Sequence, residues 1–256
     1  VARFERIDET GRAVTLDYVD EGDGAPIILV HGFASNRQVN WQGTGWIRLL
    51  REAGQRVIAF DNRGHGASSR FHEVEDYAID RFVDDVFALA DHRGLGRFAL
   101  MGYSMGARIA VFCALRRPDR IARLLLGGLA YHLVDRAGLP QGVVEAMLAA
   151  SADAVADAGA RSFRVFAEAT KSDLGALAAC IVGVRQAPSR EAIGALRVPT
   201  LITVGTRDAV AGDPDALAAL MPMARVVHVE GRDHNQTVGD KVHKAAVLAF
   251  LRESAD

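Results

Sequence analysis

Ser104 stands in Gly102-Tyr103-Ser104-Met105-Gly106, after the apolar run Phe98–Met101 and before an apolar run that continues past Ala107. The order predicts a buried strand, a tight turn with the serine at its tip, and a helix. Glycines flank the tip because strand and helix come too close there for larger side chains. This is the G-x-S-x-G elbow of a nucleophilic serine. A serine hydroxyl is a weak nucleophile at neutral pH, so the elbow implies two more groups. One is a base that takes the hydroxyl proton. The other is a carboxylate that fixes the base's tautomer and stabilises its cation.

Eight histidines compete for the role of base. His234 is selected, because it lies in a loop between the last strand pattern and the last helix pattern. His228 falls inside a strand pattern and reads as structural. His72, His92 and His132 have no motif around them. His243 falls in the closing helix pattern, where a solvated face is expected. His31 and His65 precede the serine in glycine-containing turns and are expected to shape backbone. For the acid, the strand at 121–126 ends in glycines, Leu129 and Ala130, which offer none. Asp208, after the strand at 198–204, is selected instead, giving the chain order serine, acid, histidine. Asp213 and Asp215 read as a helix cap and turn. Asp233 reads as a loop or solvated carboxylate.

Acyl transfer also needs donors for a developing oxyanion. The Met105 N–H, at the start of the helix after the elbow, supplies one. The Phe33 N–H, in the loop after the Ile27–Val30 run, is expected to supply the other. The Phe33 ring is then free to line a pocket. The turn Asp61-Asn62-Arg63-Gly64-His65-Gly66 holds potential acid-base groups, but its glycines point to loop scaffolding. No H-E-x-x-H, paired C-x-x-C or P-loop occurs, so no metal or nucleotide site is expected.

The elements that must carry these residues alternate. Two short strands are expected at 3–9 and 12–20, the second partly alternating at Val14, Leu16 and Tyr18. Continuous apolar runs at 27–30, 57–60, 98–102 and 121–126 fit parallel strands buried on both faces. Helices are expected at 43–53, 77–92 and from Ser104 to Arg117, where Pro118 ends the third. From about 131 to 195 no strand pattern appears. Leu174, Leu177, Ala178, Ile181 and Val182 follow helical spacing, and shorter helical pieces lie near 141–150 and 162–169. Gly138, Pro140, Gly142, Gly159, Gly183 and Pro188 punctuate this stretch. Alternation resumes with strands at 198–204 and 224–229 and helices at 214–221 and 237–252. The expected fold class is α/β: a mostly parallel central sheet with helices on both faces. Residues 1–130 and 196–256 form its core, and 131–195 a small helical cap. Functional loops of such sheets gather at the carboxyl ends of strands, so the candidate residues should meet.

Composition narrows the partners. The chain has 256 residues, half of them hydrophobic, with 30 basic against 32 acidic residues and a formal charge of −2. That length can bury a substantial core without staples. Arginine outnumbers lysine 27 to 3, without clustering. Neither nucleic acid nor a membrane is therefore an expected partner. Cys113 and Cys180 sit in apolar helical patterns and read as buried free thiols, which suits a reducing compartment. With no signal-peptide pattern, a cytoplasmic location is expected.

Five stretches together resemble the α/β-hydrolase superfamily, over essentially the whole chain. They are His31-Gly32-Phe33, Asp61-x-Arg63-Gly64-His65-Gly66-x-Ser68, Gly102–Gly106, Gly205-x-x-Asp208 and Asp233-His234. The resemblance implies a Ser104–Asp208–His234 triad, an oxyanion hole from the Phe33 and Met105 amides, and a helical cap. It implies no cofactor. Haloalkane dehalogenases and epoxide hydrolases of this superfamily carry Asp at the elbow, so Ser104 argues against both. Cofactor-free haloperoxidases share the triad. The family's usual second glycine after the elbow is Ala107 here.

The expected activity is hydrolysis of a carboxylic ester or related small acyl substrate, with Phe33, Tyr103 and Arg108 as candidate substrate contacts. Gly-Tyr-Ser-x-Gly-x-Arg also resembles the menaquinone-pathway synthase that eliminates pyruvate, and carbon-carbon hydrolases share triad and cap. On that alternative, Arg108 or the cap arginines Arg161, Arg164 and Arg185 would hold a carboxylate. Otherwise Arg108 makes a structural ion pair. A non-catalytic receptor on the same fold is the third reading.

Overall fold

The computed structural model describes residues 1–135 and 142–253. The expected breaks at Gly138 and Pro140 lie outside these residues. Eight strands form one sheet in the order β1-β2-β4-β3-β5-β6-β7-β8. They are β1 (Ala2–Ile7), β2 (Ala13–Glu21), β3 (Ala25–Val30), β4 (Gln55–Phe60), β5 (Phe98–Tyr103), β6 (Ile121–Gly127), β7 (Thr200–Gly205) and β8 (Ala224–Val229). β2 pairs antiparallel with both β1 and β4. From β4 across to β8 every pairing is parallel. The fold class expected from the alternation is the one observed.

The central runs show no polar alternation because both faces are covered. Ile28, Val30, Ile58, Phe60, Leu100, Leu124, Leu126, Ile202 and Val204 pack into one core layer. Their neighbours Ile27, Leu29, Val57, Ala59, Met101, Leu125 and Leu201 pack into the other. Side chains alternate across a strand, so an apolar residue at every position fills both layers. Helices α1 (Trp46–Glu52), α2 (Ile79–His92) and α3 (Met105–Arg116) connect the first strands. Trp46 and Leu50 of α1 bury against one face, and Phe82, Val86, Ile109 and Cys113 of α2 and α3 against the other.

Between β6 and β7 the described residues hold α4 (His132–Asp135), α5 (Val143–Leu148), α6 (Ala158–Ala169), α7 (Leu174–Gly183) and α8 (Arg190–Ala195). Asp157, Asp173 and Ser189 cap α6, α7 and α8, each accepting a backbone N–H in the first turn. This stabilises a helix start by about 1 kcal/mol. α9 (Pro214–Leu220), α10 (His234–Thr237) and α11 (Lys241–Arg252) follow β7 and β8. Asp213 caps α9.

His243 departs from expectation. It lies in α11 but is buried, edge-on to Trp46 with ring centroids 5.0 Å apart. α11 covers the sheet with Val247 and Phe250, and His243 falls one turn before Val247 on that inward face. The face, not the residue's polarity, decided its burial. Both ring nitrogens lack hydrogen-bond partners, and burial pulls its pKa down to about 3. Cys113 and Cys180 are buried free thiols. Among the described residues no helix is long and apolar enough to cross a membrane.

Candidate active site

The sheet changes winding direction at β3. The chain moves from β3 to β4 on one side, and β5 then takes the other side of β3. Loops after β3 and β5 therefore flank the switch point, where open α/β sheets bind ligands. Ser104 follows β5 with φ 54°, a left-handed backbone that L-residues rarely adopt. The close packing around it explains the flanking glycines. A Cβ on Gly102 would sit 2.1 Å from the Gly106 carbonyl oxygen, and one on Gly106 would sit 2.0 Å from that of Val30.

Three strand ends bring the polar groups together. His234 Nε2 lies 3.0 Å from Ser104 Oγ. His234 Nδ1 lies 2.8 Å from Asp208 Oδ2. The other carboxylate oxygen of Asp208 accepts the backbone N–H groups of Val210 and Ala211, at 2.9 and 3.1 Å. Asp208 is thus an acceptor on every side, which assigns the imidazole proton to Nδ1 and leaves Nε2 to accept from the serine. Asp233 caps α10 in a reciprocal capping box with Gln236, and so sets where His234 enters the helix.

The loop after β3 passes close to the serine. A Cβ on Gly32 would lie 3.4 Å from Ser104 Cβ. Asn40 Oδ1 accepts the Gly32 N–H at 3.1 Å. The Gly32 carbonyl, in the same peptide as the Phe33 N–H, accepts from His31 Nδ1 at 2.8 Å. His31 Nε2 in turn accepts the Asn62 N–H at 2.9 Å. Burial lowers the His31 pKa to about 4, which keeps the ring neutral and able to both donate and accept. Among the described residues no acceptor pairs with the Phe33 or Met105 N–H. This peptide, held at its oxygen and free at its nitrogen, is suited to receive a developing negative charge.

The Asp61–Gly66 turn braces the same region. Arg63 is fully buried, with Nε and Nη2 on the two Asp85 oxygens at 2.7 and 2.9 Å. Asp61 accepts the N–H groups of Arg37 and Ala67. His65 Nε2 accepts the Ala34 N–H at 3.2 Å. Among the described residues no cluster of three His, Cys, Asp or Glu side chains could hold a metal ion.

A cavity of about 360 Å³ opens beside Ser104. Phe33, Val39, Val210 and Val238 line it from the core, and Phe163 and Phe166 from α6. Asn40, Thr44, Ser162 and Asn235 add polar groups. Among the described residues its ionisable lining groups are His234 and Tyr103. Phe163 and Phe166 were legible as helix positions but carried no sign that they would face the serine.

One of the candidate substrate contacts falls elsewhere. Arg108 does not line the cavity. Its guanidinium donates to the carbonyls of Gln186 at 2.7 Å and of Leu133 and His132 at 3.3 Å. These bonds tie the helical segment to α3. Arg161 and Arg164 also donate to backbone carbonyls. Tyr103 does line the cavity, but its hydroxyl donates to the His234 carbonyl. Its ring fills the space beside Gly127 and Gly128, where a Cβ would come within 2.7 Å.

Many known proteins match this chain in sequence or in fold. The family model for the alpha/beta hydrolase fold matches residues 25–149. The chain is 32% identical over 225 residues to YisY of Bacillus subtilis, described as an AB hydrolase superfamily protein, covering 79% of this chain and 81% of that one. It spans about half or less of the length of several other curated relatives. One is a haloalkane dehalogenase from Mycolicibacterium paratuberculosis, 35% identical over 119 residues, 45% of this chain and 38% of that one. Among solved structures, an esterase from Thermogutta terrifontis superposes with a TM-score of 0.75 at 25% identity, covering 98% of both chains. The chain belongs to the α/β-hydrolase superfamily.

Proposed function

We propose that the protein is a cofactor-independent serine hydrolase acting on uncharged carboxylic esters or related acyl substrates. The observation that carries this reading is the continuous relay from Ser104 Oγ through the His234 imidazole to Asp208, at 3.0 and 2.8 Å. Ser104 attacks the acyl carbon while His234 Nε2 takes its proton. Asp208 holds the resulting imidazolium. The Phe33 and Met105 N–H groups take up the oxyanion. His234 then returns the proton to the departing alkoxide, leaving an acyl-enzyme. Water, deprotonated by the same His234, attacks that ester, and the proton passes to Ser104 as the acid leaves.

The helical segment between β6 and β7 serves as a cap in this reading, because Phe163 and Phe166 close the cavity over the serine. No Asp, Glu, Lys or Arg stands among the described lining residues, which favours an uncharged substrate over the anionic one of a carbon-carbon hydrolase or lyase. A serine at the elbow favours acyl transfer over dehalogenation or epoxide opening. The test is turnover of p-nitrophenyl acetate and butyrate by the purified protein and by Ser104→Ala. Equal rates from both proteins would overturn the assignment, as would failure of a fluorophosphonate to label Ser104.

A further inference from the structure

Ala34, directly after Phe33, has φ 57°. A left-handed conformation is unfavourable for an alanine, so it persists only where surrounding contacts hold it. The contacts come from two sides. The Ala34 N–H donates to His65 Nε2, within the core. The Ala34 carbonyl accepts from the Thr170 hydroxyl at 2.9 Å, from the end of α6. Thr170 is not part of the core at all; it belongs to the helical segment between β6 and β7.

The rest of α6 faces the same loop. Phe163, Phe166, Ala167 and Thr170 fall at i, i+3, i+4 and i+7, one stripe of a helix. The Phe163 ring lies 6.2 Å from the Phe33 ring, and Ala167 is fully buried. The turn after Thr170 is anchored a second time, by Asp173 against His72 Nε2 at 3.1 Å. Lys171 between them is also left-handed, at φ 54°. Ser172 Oγ lies 2.8 Å from Thr170 Oγ1, so Thr170 can accept from Ser172 while donating to Ala34. Thr170 Oγ1 also lies 3.0 Å from the Ala167 carbonyl oxygen, a second acceptor within reach of its one proton.

We propose that Thr170 is a positioning residue for the oxyanion donor, its hydroxyl coupling the seating of the helical segment to the orientation of the Phe33 N–H. This rests on the serine-hydrolase reading above. A hinged Ala34 would let the 33–34 backbone relax toward ordinary φ and turn the donor away from the carbonyl oxygen. The effect belongs to the transition state, because the donor matters most when charge has developed.

The test compares Thr170→Val, Thr170→Ala and Thr170→Ser with the parent protein. The readouts are kcat and KM for p-nitrophenyl acetate, and inhibition by phenylboronic acid, whose tetrahedral serine adduct places an oxygen in the hole. For Val and Ala, kcat should fall about threefold to tenfold with KM within twofold, and boronate affinity should fall by the same factor. Thr170→Ser should restore both. Unchanged kcat and boronate affinity, a loss confined to KM, or failure of serine to rescue would each overturn the proposal. If the parent itself neither turns over ester nor labels at Ser104, the functional reading fails and the proposal with it. Labelling with no effect at Thr170 removes the proposal alone.

Discussion

The Tyr103 hydroxyl donates to the backbone carbonyl of His234, so the residue just before the serine holds the residue that faces it. The chain separates the two by 131 positions. Burial and the nearby Asp208 carboxylate push the Tyr103 pKa well above its ordinary value, so the hydroxyl keeps its proton at working pH. Tyr103→Phe removes the bond and leaves the ring. Stability is expected to fall by about 1 kcal/mol. Turnover of p-nitrophenyl acetate should fall severalfold with little change in KM, because the imidazole loses its tether rather than the ester its site. Urea unfolding and steady-state kinetics check this.

Ser104→Ala and Asp208→Asn should leave the fold intact and separate in size. Loss of the nucleophile lowers kcat by about 10⁶, and the wrong imidazole tautomer by about 10⁴. Circular dichroism alongside ester turnover distinguishes lost chemistry from lost structure.

Gly106→Ala should fail to give folded protein. The added carbon would meet the Val30 and His31 carbonyl oxygens at 2.0 and 2.8 Å, which are backbone atoms of a central strand end and cannot swing aside. Gly96→Ala is the control, since a Cβ there meets nothing within 4 Å. Soluble expression and thermal melting read the difference.

Stability should decline below pH 6.5. Burial pulls His31 to about 4 and both His65 and His243 to about 3, whereas in the unfolded chain each titrates near 6.5. Between those values the unfolded state binds protons that the native state refuses. Stability is therefore full above pH 6.5 and drains as pH falls toward 4 and 3, by on the order of 3 kcal/mol for His31 and on the order of 5 kcal/mol for each of the other two rings. His243 makes no hydrogen bond with either nitrogen, so it is the one to replace. His243→Phe should flatten the decline, gaining more at pH 5 than at pH 8 in urea midpoints.

Arg108→Met should lower the melting temperature through the lost carbonyl contacts at Gln186, Leu133 and His132. The ratio of kcat/KM for a neutral ester to that for one bearing a carboxylate should not change. A selective loss on the anionic ester would return Arg108 to the substrate.

The central strands β3 to β7 were legible because they are buried on both faces and read as largely apolar runs. Ser104, Asp208 and His234 could be picked out because each stands in the loop or turn after a strand pattern. His243 was misplaced because α11 meets the sheet along a face that its polar residues interrupt. Tyr103 and Arg108 were read by their chemistry and proximity to Ser104, yet both bond to backbone carbonyls, which leave no trace in side-chain patterns. Thr170 was invisible for the same reason: the Ala34 oxygen it holds exists in every residue, and only the fold chooses which one.

The separation of Ser104, Asp208 and His234 onto the ends of β5, β7 and β8 has a kinetic consequence. In a chain emerging from the ribosome or refolding from urea, the elbow can form once β3, β5 and β6 have paired, but the serine still lacks its two partners. Its base arrives with the edge strand and its acid with the neighbour of that strand. On the proposed function, recovery of turnover would thus lag recovery of helix signal, and the lag would time the docking of the final two strands.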